Sequence, residues 1–335
     1  MKQLRCIHLC DDFALGGVAK ALGVYAHPDL SSMIVSRVLP ANPRQSLAPR
    51  FDADIIVTHC PPSWRTLPFL ASLRLRNPGA RLVHVEHSYT GAWEAAKVAN
   101  PRRFRVMLRL AFRLFDEVVA VSHGQARWLR DAAGLAANKL HVLHPWSGSQ
   151  QLDGVAPPVL LGQRPLVLGA FGRFSEQKGF DTLIDAMAQL DPAQFTLLLG
   201  GFGADDAALR AQAAGLPHVR FVGKVDDVPG FLSRCDVIVV PSRWEAFGQV
   251  VAEAKLAGRA VLVADVDGMP EQIGDAGIIA DCGTAMALAA ALAALPTQPL
   301  AAMGAAGRHM MLTAERERID AWQALFLRHR APALA

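Results

Sequence analysis

The feature that most constrains the fold is a regular alternation of short apolar runs, typical of strands, with segments of helical periodicity. The alternation extends from the first strand-like run, residues 5–10, to the last, residues 277–280. Strands that alternate with helices indicate parallel sheets whose two faces are covered by the helices. The sequence therefore predicts an α/β protein built on parallel sheets covered by helices.

The alternation is interrupted near the middle of the chain, where residues 148–164 are rich in glycine and proline. This composition is typical of an interdomain linker. The 335 residues are enough for two domains, each with its own core. We therefore predict one domain at 1–147 and another at 165–312, and an amphipathic helix within the remaining residues, 313–335.

Charge is distributed unevenly along the chain. Residues 1–150 carry 19 Lys+Arg and 10 Asp+Glu, whereas the rest carries 15 and 20, so the net charges are +9 and −5. A basic half paired with an acidic half indicates an anionic partner for one of them.

The remaining composition favours a globular, cytoplasmic protein. The five cysteines are odd in number and lack CxxC spacing, so we expect buried, reduced thiols. Residues 1–3 lead directly into a strand-like run, so no signal peptide is expected. The uncharged segment 282–307 is broken by Pro296 and Pro299, and it predicts two short helices instead of a membrane span.

The most informative segment is 241–253, PSRWEAFGQVVAE, which follows a strand-like run at 236–240. Glu245 lies in the loop at the carboxyl end of that strand. Phe247 and Gly248 are predicted to open a helix, whose free N–H groups suit an anion or a sugar hydroxyl. Glu253 lies a little over two helical turns after Glu245, on nearly the same face. The two carboxylates are therefore predicted to meet opposite ends of one long ligand; the alternative is an acidic loop residue and a solvated helical glutamate.

A second segment, GRFSEQKG at 172–179, places two cations around a loop between a strand and a helix. Arg173 ends the strand and Lys178 precedes the helix. Fixed cations beside free helical N–H groups suit a diphosphate. In the alternative, Arg173 pairs within the protein with Asp181 or Glu176.

Together these segments resemble the retaining glycosyltransferases of family 4, which have the GT-B fold. SRWEAFGQVVAEA resembles the paired-glutamate signature of the family, and GRFSEQKG matches its diphosphate-binding G-R-x(4)-K-G. The resemblance is strong over 166–280 and weak in the first half. It implies two Rossmann-like, doubly wound domains facing across a cleft, an N-terminal acceptor domain and a C-terminal donor domain. It also implies a last helix that crosses back to the first domain.

The resemblance also implies an activity. The expected reaction is transfer of a hexose from a nucleoside-diphosphate sugar, with uridine as the expected base, to a glycan or lipid-linked acceptor, as in lipopolysaccharide or cell-surface polysaccharide synthesis. Two alternatives are a nucleotide-sugar epimerase or hydrolase of the same fold and a non-catalytic nucleotide-sugar binding protein. A nicotinamide dehydrogenase is a more distant alternative, because the glycines at 200, 201 and 203 form only part of a dinucleotide fingerprint.

By resemblance, Arg173 and Lys178 stabilise the leaving diphosphate, Glu245 binds the sugar together with the N–H groups of Phe247 and Gly248, and Glu253 binds the ribose. No enzyme nucleophile is assigned. His87, at the end of the strand-like run 81–86, is implied to contact the transferred sugar or the acceptor. The other implied donor-site residues are Gly16, Gly17, Gly201, Lys224, Val225, Ala246, Gln249 and Val250.

Other polar groups raise the question of a metal. A histidine at the end of a strand, such as His87, is more often a structural residue than a ligand-binding one. His84 and His87 could also be metal ligands, but no third ligand has suitable spacing. Two D-x-D triplets, at 52–54 and 265–267, are interpreted as loop acids. We therefore expect neither a metal nor a cofactor, since Arg173 and Lys178 can neutralise the diphosphate.

A basic amphipathic helix is predicted at 100–116. The simpler interpretation is a surface helix whose arginines are exposed to solvent. The alternative is docking to anionic lipid head groups at the inner face of the membrane, where each basic residue contributes up to ~1 kcal/mol. Nucleic acid is not expected, because the arginines are not interleaved with exposed aromatic residues. The arginines proposed for this membrane or acceptor contact are Arg102, Arg103, Arg105, Arg109 and Arg113.

Overall fold

The computed structural model describes residues 3–11, 21–146, 148, 151–159 and 164–328. The chain divides into two compact units, Met1–Gly148 with Glu315–Ala335, and Ser149–Ala314. Within the described residues, each unit contains one six-stranded sheet in which every strand pairing is parallel. The predicted α/β, Rossmann-like fold with two sheets is confirmed.

In the first unit the strands lie in the order β2-β1-β3-β4-β5-β6. The first strand pairs with both the second and the third, so the winding of the sheet reverses beside it. Ligands of open parallel sheets bind outside the carboxyl ends of the strands at such a switch point. The strands are β1 (Leu4–Cys10), β2 (Ile34–Pro40), β3 (Ile55–Thr58), β4 (Arg81–Glu86), β5 (Glu117–Ala120) and β6 (Leu140–Val142). The helices are α1 (Pro28–Ser31), α2 (Leu67–Arg76), α3 (Gly91–Lys97), α4 (Pro101–Arg113) and α5 (His123–Ala133).

In the second unit the order is β12-β11-β10-β7-β8-β9, and β7 pairs with both β8 and β10. The switch point therefore lies between β7 and β10. The strands are β7 (Leu166–Arg173), β8 (Phe195–Phe202), β9 (Val219–Gly223), β10 (Val237–Val240), β11 (Ala260–Ala264) and β12 (Gly277–Ala280). The helices are α6 (Phe180–Met187), α7 (Asp206–Gln212), α8 (Val228–Ser233), α9 (Gln249–Leu256), α10 (Ala285–Ala293) and α11 (Leu300–Met310).

The sheets are covered on both faces, which explains why their strands read as continuous apolar runs. Every residue of β3, β5, β10 and β11 is buried. The five cysteines are free and buried, as expected, and the pKa of the Cys6 thiol is raised by burial.

Part of the segment predicted as a linker packs onto the second unit. Leu152 and Val155 are buried there. Arg308 donates to the carbonyl of Val155 at 2.6 Å, and Arg259 donates to that of Ala156 at 2.8 Å. The described residues 151–156 are therefore a fixed piece of the second unit and not a free connection.

The last helix, α12 (Ala314–Arg328), belongs to the first unit from Glu315 onward. Trp146 donates its indole N–H to Glu315 at 3.1 Å, and the Arg318 guanidinium lies 5.2 Å from the Trp146 ring centre. Trp322 packs edge-on against Tyr25, with 5.0 Å between ring centres. These contacts attach the end of the chain to the same body as its beginning.

Among the described residues no single helix is both long and apolar enough to cross a membrane. Residues 285–297 and 300–328 meet the length and composition test only as a pair, and that pair is bent by 97°.

Candidate active site

The carboxyl ends of β7 and β10 bring together the two segments that the sequence singled out. Because these strands are neighbours in the sheet, the loop after Arg173 and the loop after Val240 leave the same edge side by side. Each loop leads into a helix, α6 after Gly179 and α9 after Gly248. Two helix N-termini with unsatisfied N–H groups therefore flank the switch point of this unit.

The two loops are joined by several hydrogen bonds. The backbone N–H of Arg243 donates to the carbonyl of Gln177 at 2.8 Å, and the Gln177 side chain donates to the carbonyl of Trp244 at 3.1 Å. The Arg243 guanidinium donates to both carboxylate oxygens of Asp181, at 2.9 and 2.7 Å. Although burial acts to raise the pKa of Asp181, these bonds hold it below the ordinary value. The loops therefore form one fixed unit around the helix N-termini.

Gly179 permits this close approach. Its φ of +65° is in the left-handed region, and a Cβ at this position would lie 2.2 Å from the carbonyl oxygen of Pro241. No other residue type fits both conditions, because glycine alone lacks a Cβ.

Lys178 and Glu245 meet across the two loops. The ammonium of Lys178 pairs with Oε2 of Glu245, and the side chains are 18% and 13% exposed. Ser242 also donates its hydroxyl to the same carboxylate oxygen, at 3.4 Å. A cation and an anion predicted to bind different parts of one ligand are thus held in contact at the edge of the sheet.

The loop that carries Glu245 is supported from the end of β11. The backbone N–H of Glu245 donates to the Asp267 carboxylate at 3.0 Å, and the N–H of Gly268 donates to the carbonyl of Glu245 at 3.3 Å. The amide of Gln272 donates to the carbonyl of Phe247. Residues 267–272 therefore position the glutamate loop, a role that sequence reasoning missed because it depends on β10 and β11 being neighbours.

The sequence predicts that Phe247 and Gly248 open the helix, but both residues lie just before α9. The helix starts at Gln249, because Gly248 adopts a left-handed φ of +78° and lies outside it. Ala246 and Phe247 are buried, whereas Gln249 and Val250 are half-buried at the helix N-terminus.

The other predicted donor-site residues lie at the same edge or inside it. Arg173 is exposed at the end of β7, and its guanidinium has no hydrogen-bond or ion-pair partner among the described residues. The alternative pairing with Asp181 is absent, since Arg243 holds that carboxylate. Glu253 is 3% exposed and interacts within the protein, so its assignment to the ribose stays a prediction.

The ends of β8 and β9 are packed closely against β7. A Cβ on Gly201 would lie 1.9 Å from the carbonyl oxygen of Gly172, and one on Gly200 would lie 2.4 Å from a methyl of Val225. Lys224 is exposed and pairs with Asp226 at 2.5 Å. Val225 and Lys224 are therefore placed beside the glycines of β8, next to the same edge.

Neither D-x-D triplet belongs to a metal cluster within the described residues. Asp52 and Asp54 both pair with the guanidinium of Arg5, while Asp267 holds the Glu245 loop. Asp52, Asp54 and Asp267 thus make contacts within the protein, and the interpretation of both triplets as loop acids stays a prediction.

The first unit places a second polar cluster at its own switch point. His87 follows β4 and is half-buried; Gly16 and Gly17 lie outside the described residues. Nδ1 of His59, which follows β3, lies 2.9 Å from Nε2 of His87. His59 and His87 line a hollow whose other walls include Tyr25, Val121, Trp146 and Trp322.

The loop that carries His87 is fixed by the buried Glu86. One oxygen of this carboxylate accepts N–H groups from Ser88 and Tyr89, at 2.8 and 3.0 Å, and the other lies 3.3 Å from His84. His84 in turn contacts Thr58 at 2.9 Å, so it is tied into the sheet.

The predicted basic helix is α4, and its exposed face carries both cations and apolar groups. Val106 and Leu110 are 45% and 41% exposed, and they lie between the arginines. Arg105 is not part of this face, because it donates to the buried Glu94 at 2.7 and 2.8 Å. The exposed arginines are Arg102, Arg103, Arg109 and Arg113.

Two doubly wound parallel sheets, one with a cation–carboxylate pair between two helix N-termini at its switch point, define the class of GT-B proteins. Comparisons with known proteins agree. Residues 23–146 match the model described as Glycosyltransferase Family 4, and residues 165–298 match that of Glycosyl transferases group 1. The chain belongs to the family-4 glycosyltransferases.

Relatives and solved structures support this membership. The phosphatidyl-myo-inositol mannosyltransferase of Mycobacterium leprae is 33% identical over 259 residues, 73% of this chain and 64% of that protein. The lipopolysaccharide core biosynthesis mannosyltransferase LpcC of Rhizobium leguminosarum is 29% identical, over 61% of each chain. The matches thus span about three fifths of the length of these relatives. The fold is similar to that of Anabaena Alr3699/HepE, crystallised with UDP and glucose, with a TM-score of 0.72, 22% identity, and coverage of 96% and 97%.

Proposed function

We propose that the chain transfers a hexose from a nucleoside-diphosphate sugar to a glycan or lipid-linked acceptor, with retention of configuration and without a metal. The observation that carries the proposal is the Lys178–Glu245 pair beside the exposed Arg173, at the switch point and between two helix N-termini. This arrangement suits a ligand that has a diphosphate at one end and hydroxyls at the other.

The donor would rearrange the ion pair as it binds. A diphosphate competes with Glu245 for the ammonium of Lys178, and Arg173 is available to the same anion. Glu245, once released from Lys178, can accept hydrogen bonds from the hydroxyls of the sugar. The cations then act most strongly as negative charge develops on the leaving diphosphate, which is where electrostatic stabilisation accelerates a reaction.

The bond changes require no enzyme nucleophile. The bond between C1 of the sugar and the phosphate oxygen breaks, and the acceptor oxygen bonds to C1 on the same face. The proton of the acceptor hydroxyl passes to the departing phosphate oxygen. Lys178, Arg173 and the N–H groups at the start of α6 and α9 hold the phosphate throughout, so no metal ion is needed to neutralise it.

The names of similar proteins favour particular substrates. One structural neighbour is crystallised with UDP and glucose, which favours a UDP-sugar donor here. One relative is named for phosphatidyl-myo-inositol and another for the lipopolysaccharide core, which favours a lipid-linked or cell-surface acceptor. We extend this proposal to a cytoplasmic protein that meets the inner membrane surface through the exposed arginines, Val106 and Leu110 of α4.

Thermal shift and turnover measurements test the proposal. A panel of nucleotide sugars is screened first, because a ligand at 100 times its Kd stabilises the protein by about 2.7 kcal/mol. The binding donor is then incubated with and without candidate acceptors. Glycoside formation supports transfer; free sugar or an epimer without acceptor supports the epimerase or hydrolase alternative; binding without any turnover supports a binding protein.

Lys178→Ala and Lys97→Ala form a matched pair in this assay. Both remove one ammonium, but Lys97 ends α3 in the other unit. The first variant is expected to lose most of the transfer activity and the second to keep it. Equal activity of the Lys178→Ala variant and the wild type would contradict the diphosphate assignment.

A further inference from the structure

Three histidines in the first unit form a hydrogen-bonded series that the proposed reaction does not use. His59 contacts His87 through Nδ1, with 2.9 Å to Nε2, and contacts His8 through Nε2, with 3.2 Å to Nδ1. Nε2 of His8 lies 3.3 Å from Sγ of the buried Cys6. The series therefore runs from the hollow at the sheet edge to a thiol inside the sheet.

The contacts between the three imidazole rings have the geometry of hydrogen bonds that lie close to the ring planes. Neighbouring planes differ by 25° at both histidine contacts, and the ring centres are 5.5 and 5.2 Å apart. Each contact joins a nitrogen of one ring to a nitrogen of the next, so His59 uses one nitrogen toward each neighbour. The nitrogens do not converge on one point, and within the described residues no three ligands form a metal site.

All three rings are neutral near neutral pH. Burial lowers the pKa of His8 to about 3 and that of His87 to about 4, and it lowers the pKa of His59 well below the ordinary value. A neutral imidazole has one N–H donor and one nitrogen lone pair. In a series of such rings the direction of one hydrogen bond therefore determines the direction of all the others.

Cys6 determines the direction of the hydrogen bonds in the series. Burial raises the pKa of its thiol, so the group keeps its proton. An S–H donor paired with an imidazole nitrogen, a strong acceptor, is preferred over an N–H group paired with sulfur, which is a weak acceptor. With the thiol donating to Nε2 of His8, each following ring donates from Nδ1 to the next Nε2.

We propose that His59 and His8 are positioning residues for His87: the series that ends at Cys6 keeps a proton on Nδ1 of His87 and occupies the lone pair on its Nε2. His87 thereby presents an N–H donor and not a base. Nδ1 of His87 has no hydrogen-bond partner among the described residues. Its partner is an oxygen of the bound ligand; this step rests on the proposed function, whereas the tautomer does not.

This assignment agrees with the bond changes proposed above. A hydrogen-bond donor stabilises an oxygen of the sugar or of the acceptor, and the acceptor proton passes to the phosphate and not to the histidine. Tyr25 packs on the His8 ring, with 4.1 Å between ring centres, and Trp322 from α12 packs on Tyr25. These aromatic residues keep water away from the inner end of the series.

The tautomers are measured on protein with ¹⁵N-labelled histidine by long-range ¹H–¹⁵N correlation near neutral pH. The proposal expects the proton on Nδ1 in all three rings. A proton on Nε2 of His87 in the wild type would overturn it, whatever the transfer assay shows. If no nucleotide sugar is turned over, the proposed function fails while this measurement still decides the tautomer.

Two matched pairs of variants test the series itself. His59→Phe keeps an aromatic ring without a donor, whereas His59→Asn keeps an amide N–H near the position of Nδ1. Cys6→Ala removes the terminal donor, whereas Cys6→Ser retains one. We expect His59→Phe to move the His87 proton to Nε2 and to lower kcat/KM roughly tenfold, the loss of about one hydrogen bond, and His59→Asn to restore both.

If the His59→Phe variant does not fold, the two Cys6 variants provide the test. Cys6→Ala is expected to shift the His87 tautomer toward Nε2–H, and Cys6→Ser is expected to leave it on Nδ1. Identical His87 spectra in the wild type, His59→Phe and Cys6→Ala would show that the ring is set by other contacts, and the proposal would be rejected.

Discussion

The ammonium of Lys178 and the carboxylate of Glu245 are paired across the two loops that follow β7 and β10. Within this pair each charge therefore neutralises the other. If the chain uses a nucleoside-diphosphate sugar, as proposed above, this donor has to separate the pair, because its diphosphate needs the cation and its sugar can use the carboxylate. The pair would then couple recognition of the two ends of the donor.

The first prediction concerns Glu245→Gln. The amide keeps the shape of the side chain but no longer competes for Lys178, so UDP should bind roughly fivefold more tightly, about 1 kcal/mol. Transfer should fall roughly a hundredfold, because the carboxylate proposed to accept the sugar hydroxyls is lost. Calorimetry with UDP and initial rates with a UDP-sugar check the two parts.

Lys178→Ala provides the opposite case. UDP affinity is expected to fall roughly thirtyfold, about 2 kcal/mol, because the leaving diphosphate loses a fixed cation. The double variant should bind UDP like Lys178→Ala alone, since Glu245 acts on UDP only through that lysine. Weaker UDP binding by Glu245→Gln than by the wild type would disprove the competition.

The second prediction tests whether the second D-x-D triplet positions the Glu245 loop or binds a metal ion. Asp267→Ala removes the acceptor for the Glu245 N–H and should lower transfer about tenfold, whereas Asp267→Asn keeps an acceptor oxygen and should retain most activity. Asp265, which is exposed, should tolerate Asn. Initial rates with and without a chelator complete the test: a bound metal would make all three variants and the chelated wild type equally poor.

Some of this site could be predicted from the sequence because its residues lie at strand ends or in the loops after them. Arg173 ends one strand, Lys178 lies in the loop after it, and Glu245 lies in the loop after another. In a parallel sheet the carboxyl ends of all strands meet at one edge. The alternation of strands and helices predicted that sheet. What it did not predict is which strands are neighbours, and Asp267 and His59 depend on that order.

His59 illustrates the limit most clearly. It is separated from His87 by 27 residues in the sequence, and it follows a mostly apolar run that differs little from the others. Only the pairing of β3 with β4 brings the two imidazoles together. Likewise Arg105 shares the helical spacing of its neighbours, and its partner Glu94 becomes visible only once α3 and α4 are packed.

The third prediction concerns Gly179→Ala. The left-handed backbone and the contact of the new Cβ with Pro241 should together destabilise the second unit by about 3–5 kcal/mol. Gly215→Ala, in the same unit, is the control, because Gly215 has a φ of +88° and open space around a Cβ. It should cost only about 1–2 kcal/mol. Urea unfolding of both variants measures the difference, and equal losses would refute the proposed close approach.

The fourth prediction tests the exposed face of α4. Arg109→Glu with Arg113→Glu should weaken binding to vesicles that contain anionic lipid roughly a hundredfold, since each basic residue contributes about 1 kcal/mol and each reversal adds repulsion. Arg220→Glu with Arg234→Glu makes the same charge change at exposed positions of the second unit. Vesicle co-sedimentation at low ionic strength should separate the two pairs; equal loss in both would indicate a general charge effect and not a docking face.

The last prediction concerns the stability of the first unit as a function of pH. His8 and His87 have pKa values lowered to about 3 and about 4, first of all by burial, and the pKa of His59 is lowered as well. In the unfolded chain these rings titrate near 6.5, so below that pH the unfolded state binds protons that the folded state does not. Their contribution to stability is therefore complete above about pH 6.5 and is lost progressively as the pH falls toward the folded-state values. Each ring contributes a slope of up to about 1.4 kcal/mol per pH unit.

Tryptophan fluorescence can follow this unit separately, because five of the six tryptophans lie in it and only Trp244 lies in the other. In a Trp244→Phe background, the free energy of unfolding in urea should decrease between about pH 7 and about pH 5, and the three rings together should contribute up to about 4 kcal/mol per pH unit to that slope. His59→Phe removes one titrating ring and should reduce the slope by up to about 1.4 kcal/mol per pH unit. A free energy of unfolding that stays constant over this range would mean that the three rings are protonated in the folded protein, and it would contradict the neutral series described above.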